Sequence, residues 1–322
     1  MIYVWFVVGV ILTLAGASWL VDGASGIAKR YKVSEFVIGV CIVGIGTSMP
    51  ELTVSLLGSL RGSAEIAIGN VTGSNMFNTL VILGITALIN PIMFTRDNLR
   101  RDMHLNTLAS VILLLFAYLP IAFRPTESPM ISRLEGGLFL LLFAAYLFMT
   151  FRSSGKAEEA ETESEAESGG KPKALWLLIL MVVAGIAALA VGGKLFVDNG
   201  CEIARALKVS ETVIAITFMA CGTSLPELVT CIVAAAKKRN QLALGNILGS
   251  NVSNILLILG CSALVKPLFV DQVILDGFII LVGVAILLYI SALLPRRNEL
   301  SRYKGLLFIL LYAAYIYFIV LA

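Results

Sequence analysis

The sequence predicts an all-α integral membrane protein of ten transmembrane helices, arranged as two inverted five-helix repeats. Three observations carry that expectation. Of the 322 residues, 58% are hydrophobic and 14% charged, with a mean hydropathy of +0.93, against roughly 45–50% apolar and roughly 25% charged in soluble domains. The apolar stretches divide into ten segments of about the 20 residues that a bilayer crossing needs. Finally, the stretch Gly46-Thr47-Ser48-Met49-Pro50-Glu51 returns 176 residues later as Gly222-Thr223-Ser224-Leu225-Pro226-Glu227.

The predicted spans fall near 2–21, 36–60, 64–89, 106–123, 133–151, 174–197, 212–236, 242–265, 273–294 and 305–322. The first run has no basic flank of the kind a signal peptide carries, and a related run recurs at 176–197, so it is read as a span. Around the motif the halves match at one offset: Val21-Asp22 with Val197-Asp198, Gly69-Asn70 with Gly245-Asn246, Gly73-Ser74-Asn75 with Gly249-Ser250-Asn251, Asn78 with Asn254, and Pro91 with Pro267. Beyond the fourth span the offset drops to 169, since Ser132-Arg133 matches Ser301-Arg302. Five spans per repeat is an odd number, so the second copy enters the membrane from the opposite side. That topology forms binding sites near the midplane, at interrupted helices. The first repeat is expected over 1–151, with its motif region in 36–89, and the second over 174–322, with its motif region in 212–265.

Between them, 152–173 carries Glu158, Glu159, Glu161, Glu163, Glu165 and Glu167 among small polar residues. Such a run reads as a solvated connector, and it lacks the spacing of an EF-hand loop. Seventeen of the 24 basic residues fall in loops on the linker's side of the membrane. The positive-inside bias then puts both termini outside and the linker in the cytoplasm, in a cell membrane. The basic residues thus serve orientation, and nucleic-acid binding is not expected. Five cysteines with no CxxC pair read as small buried residues, and His104 is the sole histidine, which excludes a histidine metal cluster or a histidine-dependent triad.

The repeated motif carries the chemistry. Proline lacks an N–H and crowds the carbonyl four residues back, so Pro50 and Pro226 are expected to free the carbonyls of Gly46 and Gly222 inside apolar surroundings. Thr47 with Glu51, and Thr223 with Glu227, stand four residues apart on the same helical face. Ser74 with Asn78, and Ser250 with Asn254, do the same on the following span of each half. Carboxylate, hydroxyl, amide and carbonyl oxygens are hard donors that suit Ca2+ or Na+ and poorly suit soft transition metals. Inverted symmetry is expected to bring Glu51 and Glu227 together.

Plainer readings compete. Proline in a membrane helix is often a packing kink, and Gly69/Gly73 and Gly245/Gly249 are better read as close-packing GxxxG pairs. Ser74 and Ser250 alone could be interhelical hydrogen-bonders, Cys221 packing, and Asp22 and Asp198 interfacial. The glutamate pair is different: an acid at the centre of a membrane helix costs roughly 2.5–3.5 kcal/mol, and a structural use for two at matched positions is hard to find.

GTSMPE followed by GNVTGSNMFN, and GTSLPE followed by GNILGSNVSN, resemble the paired alpha repeats of the cation/calcium antiporter superfamily, in its sodium/calcium exchanger branch. The resemblance spans nearly the whole chain. It implies a ten-helix inverted-repeat fold exchanging extracellular Na+ for cytosolic Ca2+, with both ions as substrates, no cofactor and no obligatory protein partner beyond the bilayer. Carried over position by position, the cation ligands fall on Thr47, Ser48, Glu51, Ser74, Asn78, Thr223, Ser224, Glu227, Ser250 and Asn254, with main-chain carbonyls of Gly44 and Ala220. Some archaeal relatives and the potassium-dependent exchangers carry Asp where this chain has Asn254, and proton/calcium exchangers carry a GNxxE-type motif in place of GTSxPE. Both departures favour sodium over a K+- or H+-coupled cycle.

Alternating access with an obligatory load is the expected mechanism. Two empty carboxylates in low dielectric repel and are desolvated, which opposes occlusion until a cation neutralises them. The first and sixth spans are the expected sliding gate. An intramembrane enzyme using the two glutamates as acid and base lacks a nucleophile, an HExxH or a GxSxG motif, and a cation channel would show flux independent of a counter-ion.

Overall fold

A computed structural model describes residues 1–123, 129–153, 173–208, 222–293 and 298–321, nearly all of them helical. Most of the acidic linker and the stretch 209–221, which holds Ala220 and Cys221, lie outside the described residues. In chain order the helices are α1 (Ile2–Tyr31), α2 (Glu35–Ile38), α3 (Ile45–Thr47), α4 (Met49–Arg61), α5 (Ala64–Phe77), α6 (Leu83–Ile89), α7 (Met103–Phe123) and α8 (Arg133–Ser153). The second half supplies α9 (Leu175–Ala206), α10 (Leu225–Ala236), α11 (Asn240–Ser253), α12 (Gly260–Val265), α13 (Gln272–Leu293) and α14 (Arg302–Leu321). Among the described residues six helices are long and apolar enough to cross a membrane, or seven if the broken pair Glu35–Thr47 and Met49–Arg61 counts as one span.

Contacts sort the chain into two compact units, Met1–Thr47 with Leu147–Gly249, and Ser48–Tyr146 with Ser250–Ala322. Each draws on both sequence repeats.

In the first unit α1 and α9 form a long antiparallel pair along a glycine seam. A Cβ built on Gly9 meets the Gly192 carbonyl oxygen at 3.0 Å, and one built on Gly23 meets that of Leu178 at 2.9 Å. Only glycine lets the two backbones approach so closely. The offset of 176 turns the pair Gly9 and Gly192 into Gly185 and Gly16, which also touch. Ser34 caps α2, with Val37 N donating to Ser34 Oγ at 3.4 Å, and the chain continues through a π-helical stretch, Gly39–Gly44, to α3. Gly245 and Gly249 of α11 lie against the backbones of Phe36 and Val40, where a Cβ would clash. Close packing is therefore right for this GxxxG pair. For Gly69 and Gly73 no neighbour lies within 4 Å among the described residues; their counterparts of Phe36 and Val40 at the 176 offset, Thr212 and Ile216, fall in the undescribed stretch.

The second unit shows the same internal duplication. Gly84 meets the Gly305 carbonyl and Gly136 meets that of Gly260, and the two offsets interconvert these pairs. Four two-residue strands, β1 (Ile92–Met93), β2 (Met130–Ile131), β3 (Leu268–Phe269) and β4 (Glu299–Leu300), pair antiparallel as β1 with β4 and β2 with β3. Their registers, Ile92 opposite Leu300 and Ile131 opposite Leu268, are also exchanged by the offsets. Each short loop of one half thus pairs with a loop of the other.

Candidate functional site

The two motifs break their helices in the same way. Ser48 and Ser224 have nearly identical backbone angles, φ −81° ψ 9° and φ −86° ψ 7°, and each is the N-cap of the next helix, α4 or α10. Their carbonyls accept from Leu52 N at 3.1 Å and Leu228 N at 3.0 Å. The break comes two residues ahead of each proline. Pro50 and Pro226 therefore sit in the first turn of a new helix, where a missing N–H costs nothing, and act as helix starters. Glu51 and Glu227 follow in that first turn, at the end where exposed N–H groups give the helix its partial positive charge. Both are 1% exposed, and a carboxylate buried at that end is favoured by the field of its own helix.

In the second unit Ser48, Glu51, Ser74, Asn78, Ser250 and Asn254 are all buried. Asn70 Nδ2 donates to the Glu51 carbonyl at 3.2 Å and to Ser55 Oγ at 3.0 Å, and Ser55 Oγ reaches the Ala67 carbonyl at 3.4 Å, so α4 is held to α5 next to the carboxylate. Asn78 and Asn254 each open a π-helical stretch, Asn78–Ile82 and Asn254–Leu259, a local widening frequently found at functional sites. Their side-chain oxygens are buried and have no hydrogen-bond partner among the described residues, which is costly for a neutral amide unless something else takes up the lone pairs. A hydrogen-bonded set joins the two segments: Asn75 Nδ2 to the Asn251 carbonyl at 3.1 Å, Asn251 Nδ2 to Thr79 Oγ1 at 2.9 Å, and Asn254 Nδ2 to Asn75 Oδ1 at 2.9 Å.

The first unit holds Gly44, Thr47, Ser224 and Glu227, all buried, and the half-buried Thr223. Gly44 closes the π-helical stretch, and Thr47 Oγ1 lies 3.0 Å from the Val43 carbonyl, 3.4 Å from that of Gly44 and 3.2 Å from Asn246 Oδ1. Asn246 Nδ2 reaches Cys231 Sγ at 3.1 Å, and Cys231 Sγ reaches the Ala243 carbonyl at 3.7 Å. This is the Asn70, Ser55 and Ala67 arrangement again, with sulfur for oxygen. Ala220 is outside the described residues.

Four asparagines thus stand behind the predicted ligands without having been singled out from the sequence: Asn70, Asn75, Asn246 and Asn251. The signal was present, because all four recur at the 176 offset.

Residues 1–152 and 177–321 match the family model described as sodium/calcium exchanger protein. The sodium/calcium exchanger MaX1 of Methanosarcina acetivorans is 34% identical to the chain, over 96% of this chain and 95% of the relative. The inner membrane protein YrbG of Escherichia coli is 35% identical over 82% of this chain and 80% of the relative. Among solved structures, the sodium-calcium exchanger NCX_Mj superposes with a TM-score of 0.80 at 32% identity, covering 98% of this chain and 99% of the other.

Proposed function

We infer how these residues work from one premise: the chain belongs to the sodium/calcium exchanger family. It is a multi-pass membrane protein and an antiporter that exchanges Na+ for Ca2+, a transporter and not an enzyme. The two ions are its substrates.

The ligand set is Glu51 and Glu227 with the oxygens of Thr47, Ser48, Ser74, Asn78, Thr223, Ser224, Ser250 and Asn254, joined by the main-chain carbonyls of Gly44 and Ala220. One observation carries this reading: a fully buried carboxylate in the first turn of a helix that restarts within an apolar run, occurring twice in the chain. Burying an acid in a membrane helix is costly, and a transported cation offsets that cost when it is bound. The two acids carry the charge that one Ca2+ or several Na+ neutralise, and the empty carrier is held back from occlusion by their desolvation and repulsion. Exchange follows from that load rule without a separate coupling device.

The same reading gives ten spans in inverted repeats over 1–151 and 174–322, with both termini outside and the linker of 152–173 in the cytoplasm. The antiparallel course of α1 and α9, which hold equivalent places in the two halves, supports the inversion. So does the exchange of strand registers between halves.

Sodium-gradient-driven radiocalcium uptake into proteoliposomes tests the reading, with arms for potassium and for a proton gradient. Uptake that follows the sodium gradient alone is expected. Uptake retained in Glu51→Gln with Glu227→Gln would overturn the assignment of the acids.

A further inference from the structure

We propose that Asn75 is a positioning residue that decides which end of the Asn254 amide faces the transported cation. The inference rests on the reading of Asn254 as a ligand given above. An asparagine side chain has two nearly isosteric ends, and only the oxygen can coordinate a cation. Something must therefore choose the orientation.

The choice can be traced to an atom that has no alternative. The backbone oxygen of Asn251 can only accept a hydrogen bond, and Asn75 Nδ2 lies 3.1 Å from it. That contact fixes the Asn75 amide and leaves its Oδ1 as the end that meets Asn254. Asn254 must then offer its nitrogen, and Asn254 Nδ2 donates to Asn75 Oδ1 at 2.9 Å. The remaining end of Asn254 is Oδ1, buried and with no hydrogen-bond donor among the described residues. Turning the Asn254 amide over would set two acceptor oxygens against each other in a buried place and offer an NH2 group where a cation needs lone pairs. Both Asn75 and Asn254 are 1% exposed, so water cannot stand in cheaply for the lost partner.

The arrangement is not mirrored in the other half. Asn251, at the place of Asn75 in the second repeat, directs its Nδ2 to Thr79 Oγ1 at 2.9 Å, and its own Oδ1 has no partner among the described residues. The orienting role therefore belongs to Asn75.

A carboxylate at position 254 supplies the test: its two oxygens are equivalent and need no orientation, and it has no N–H to give to Asn75 Oδ1, so removing Asn75 takes no favourable contact from it. Calcium affinity is read from the Ca2+ dependence of sodium-driven uptake for Asn75→Ala, placed in the Asn254 background and in the Asn254→Asp background. The expected result is a loss of affinity of about tenfold in the first, the scale of one buried hydrogen bond, and less than about twofold in the second. Equal losses in both backgrounds, or no loss in the first, overturn the proposal. If Asn75→Ala does not fold, Asn75→Ser, whose hydroxyl is too short to hold Asn254, carries the same comparison. Asn254→Ala separates the two levels of argument: unchanged affinity there overturns the ligand reading itself, whereas lost affinity there with an inert Asn75→Ala overturns only the orienting role.

Discussion

Gly16 and Gly185 approach so closely that a Cβ built on either meets the carbonyl oxygen of the other, at 2.9 and 2.8 Å. Seven residues away on each helix, Gly9 and Gly192 repeat the contact at 3.0 Å. Between these points α1 and α9 touch backbone to backbone, leaving a smooth seam where other helix pairs interlock side chains. Gly16→Val is expected to lower stability in detergent by about 1–3 kcal/mol, the usual cost of overpacking. Gly193→Ala is the control, since among the described residues its Cβ would find only Leu225 Cδ2, at 3.6 Å. Thermal unfolding of the two variants measures the contrast, and equal stability would show that the seam tolerates width.

The seam marks where sequence reasoning stopped short. The repeat, both GTSxPE copies and the polar residues following them, here proposed as ligands, were legible, because each combines polar atoms with an apolar run and recurs at a fixed offset. Glycines seven residues apart carry no such flag: the eye is drawn to GxxxG spacing, and only the structure shows which backbone each glycine meets. Pro50 was read as a helix breaker that frees the Gly46 carbonyl, with a packing kink as the plainer alternative; the helix is interrupted, the break lies at Ser48, and the proline starts the next helix. The four second-line asparagines were visible as repeats, but their work depends on which amide end faces which neighbour, and composition does not encode that.

Cys231 illustrates what the repeat teaches once the contacts are known. It occupies the place of Ser55 and makes the corresponding contacts, to Asn246 and to the Ala243 carbonyl. Cys231→Ser should therefore fold and transport like the parent protein. Cys231→Ala leaves Asn246 Nδ2 short of a partner and is expected to cost about 1–2 kcal/mol. Thermal stability and uptake for the two variants decide this, and a serine variant as impaired as the alanine one would refute the equivalence.

Glu51→Gln and Glu227→Gln should each reduce sodium-driven calcium uptake by at least about a hundredfold, because each removes one of only two acids assigned to the cation. Neither should unfold the protein. Glutamine is nearly isosteric and removes a buried charge, so thermal stability without Ca2+ is expected to hold or rise. Calcium should stabilise the parent against heat and each variant much less, since a ligand raises stability only through binding to the folded state. A variant that transports normally, or one stabilised by Ca2+ as strongly as the parent, would count against the assignment.

Asp22 and Lys237 form the last testable link. Lys237 Nζ lies 2.7 Å from Asp22 Oδ1 and 2.8 Å from Ser18 Oγ, tying the end of the helix that carries Glu227 to α1. The sequence left Asp22 as an interfacial residue, and this ion pair supplies the structural use. Both side chains are partly exposed, at 32% for Lys237 and 43% for Asp22, so the pair is worth no more than about 1 kcal/mol and should weaken with salt. Lys237 also caps the C-terminus of α10, where a positive charge suits the helix dipole. Asp22→Lys should therefore lower stability at low ionic strength, by less at high salt. Exchanging the charges, Asp22→Lys with Lys237→Asp, should restore only part of the loss, because the new aspartate faces the negative end of its helix. Full restoration would assign the whole effect to the pair, and no restoration would show that Asp22 acts through some other contact.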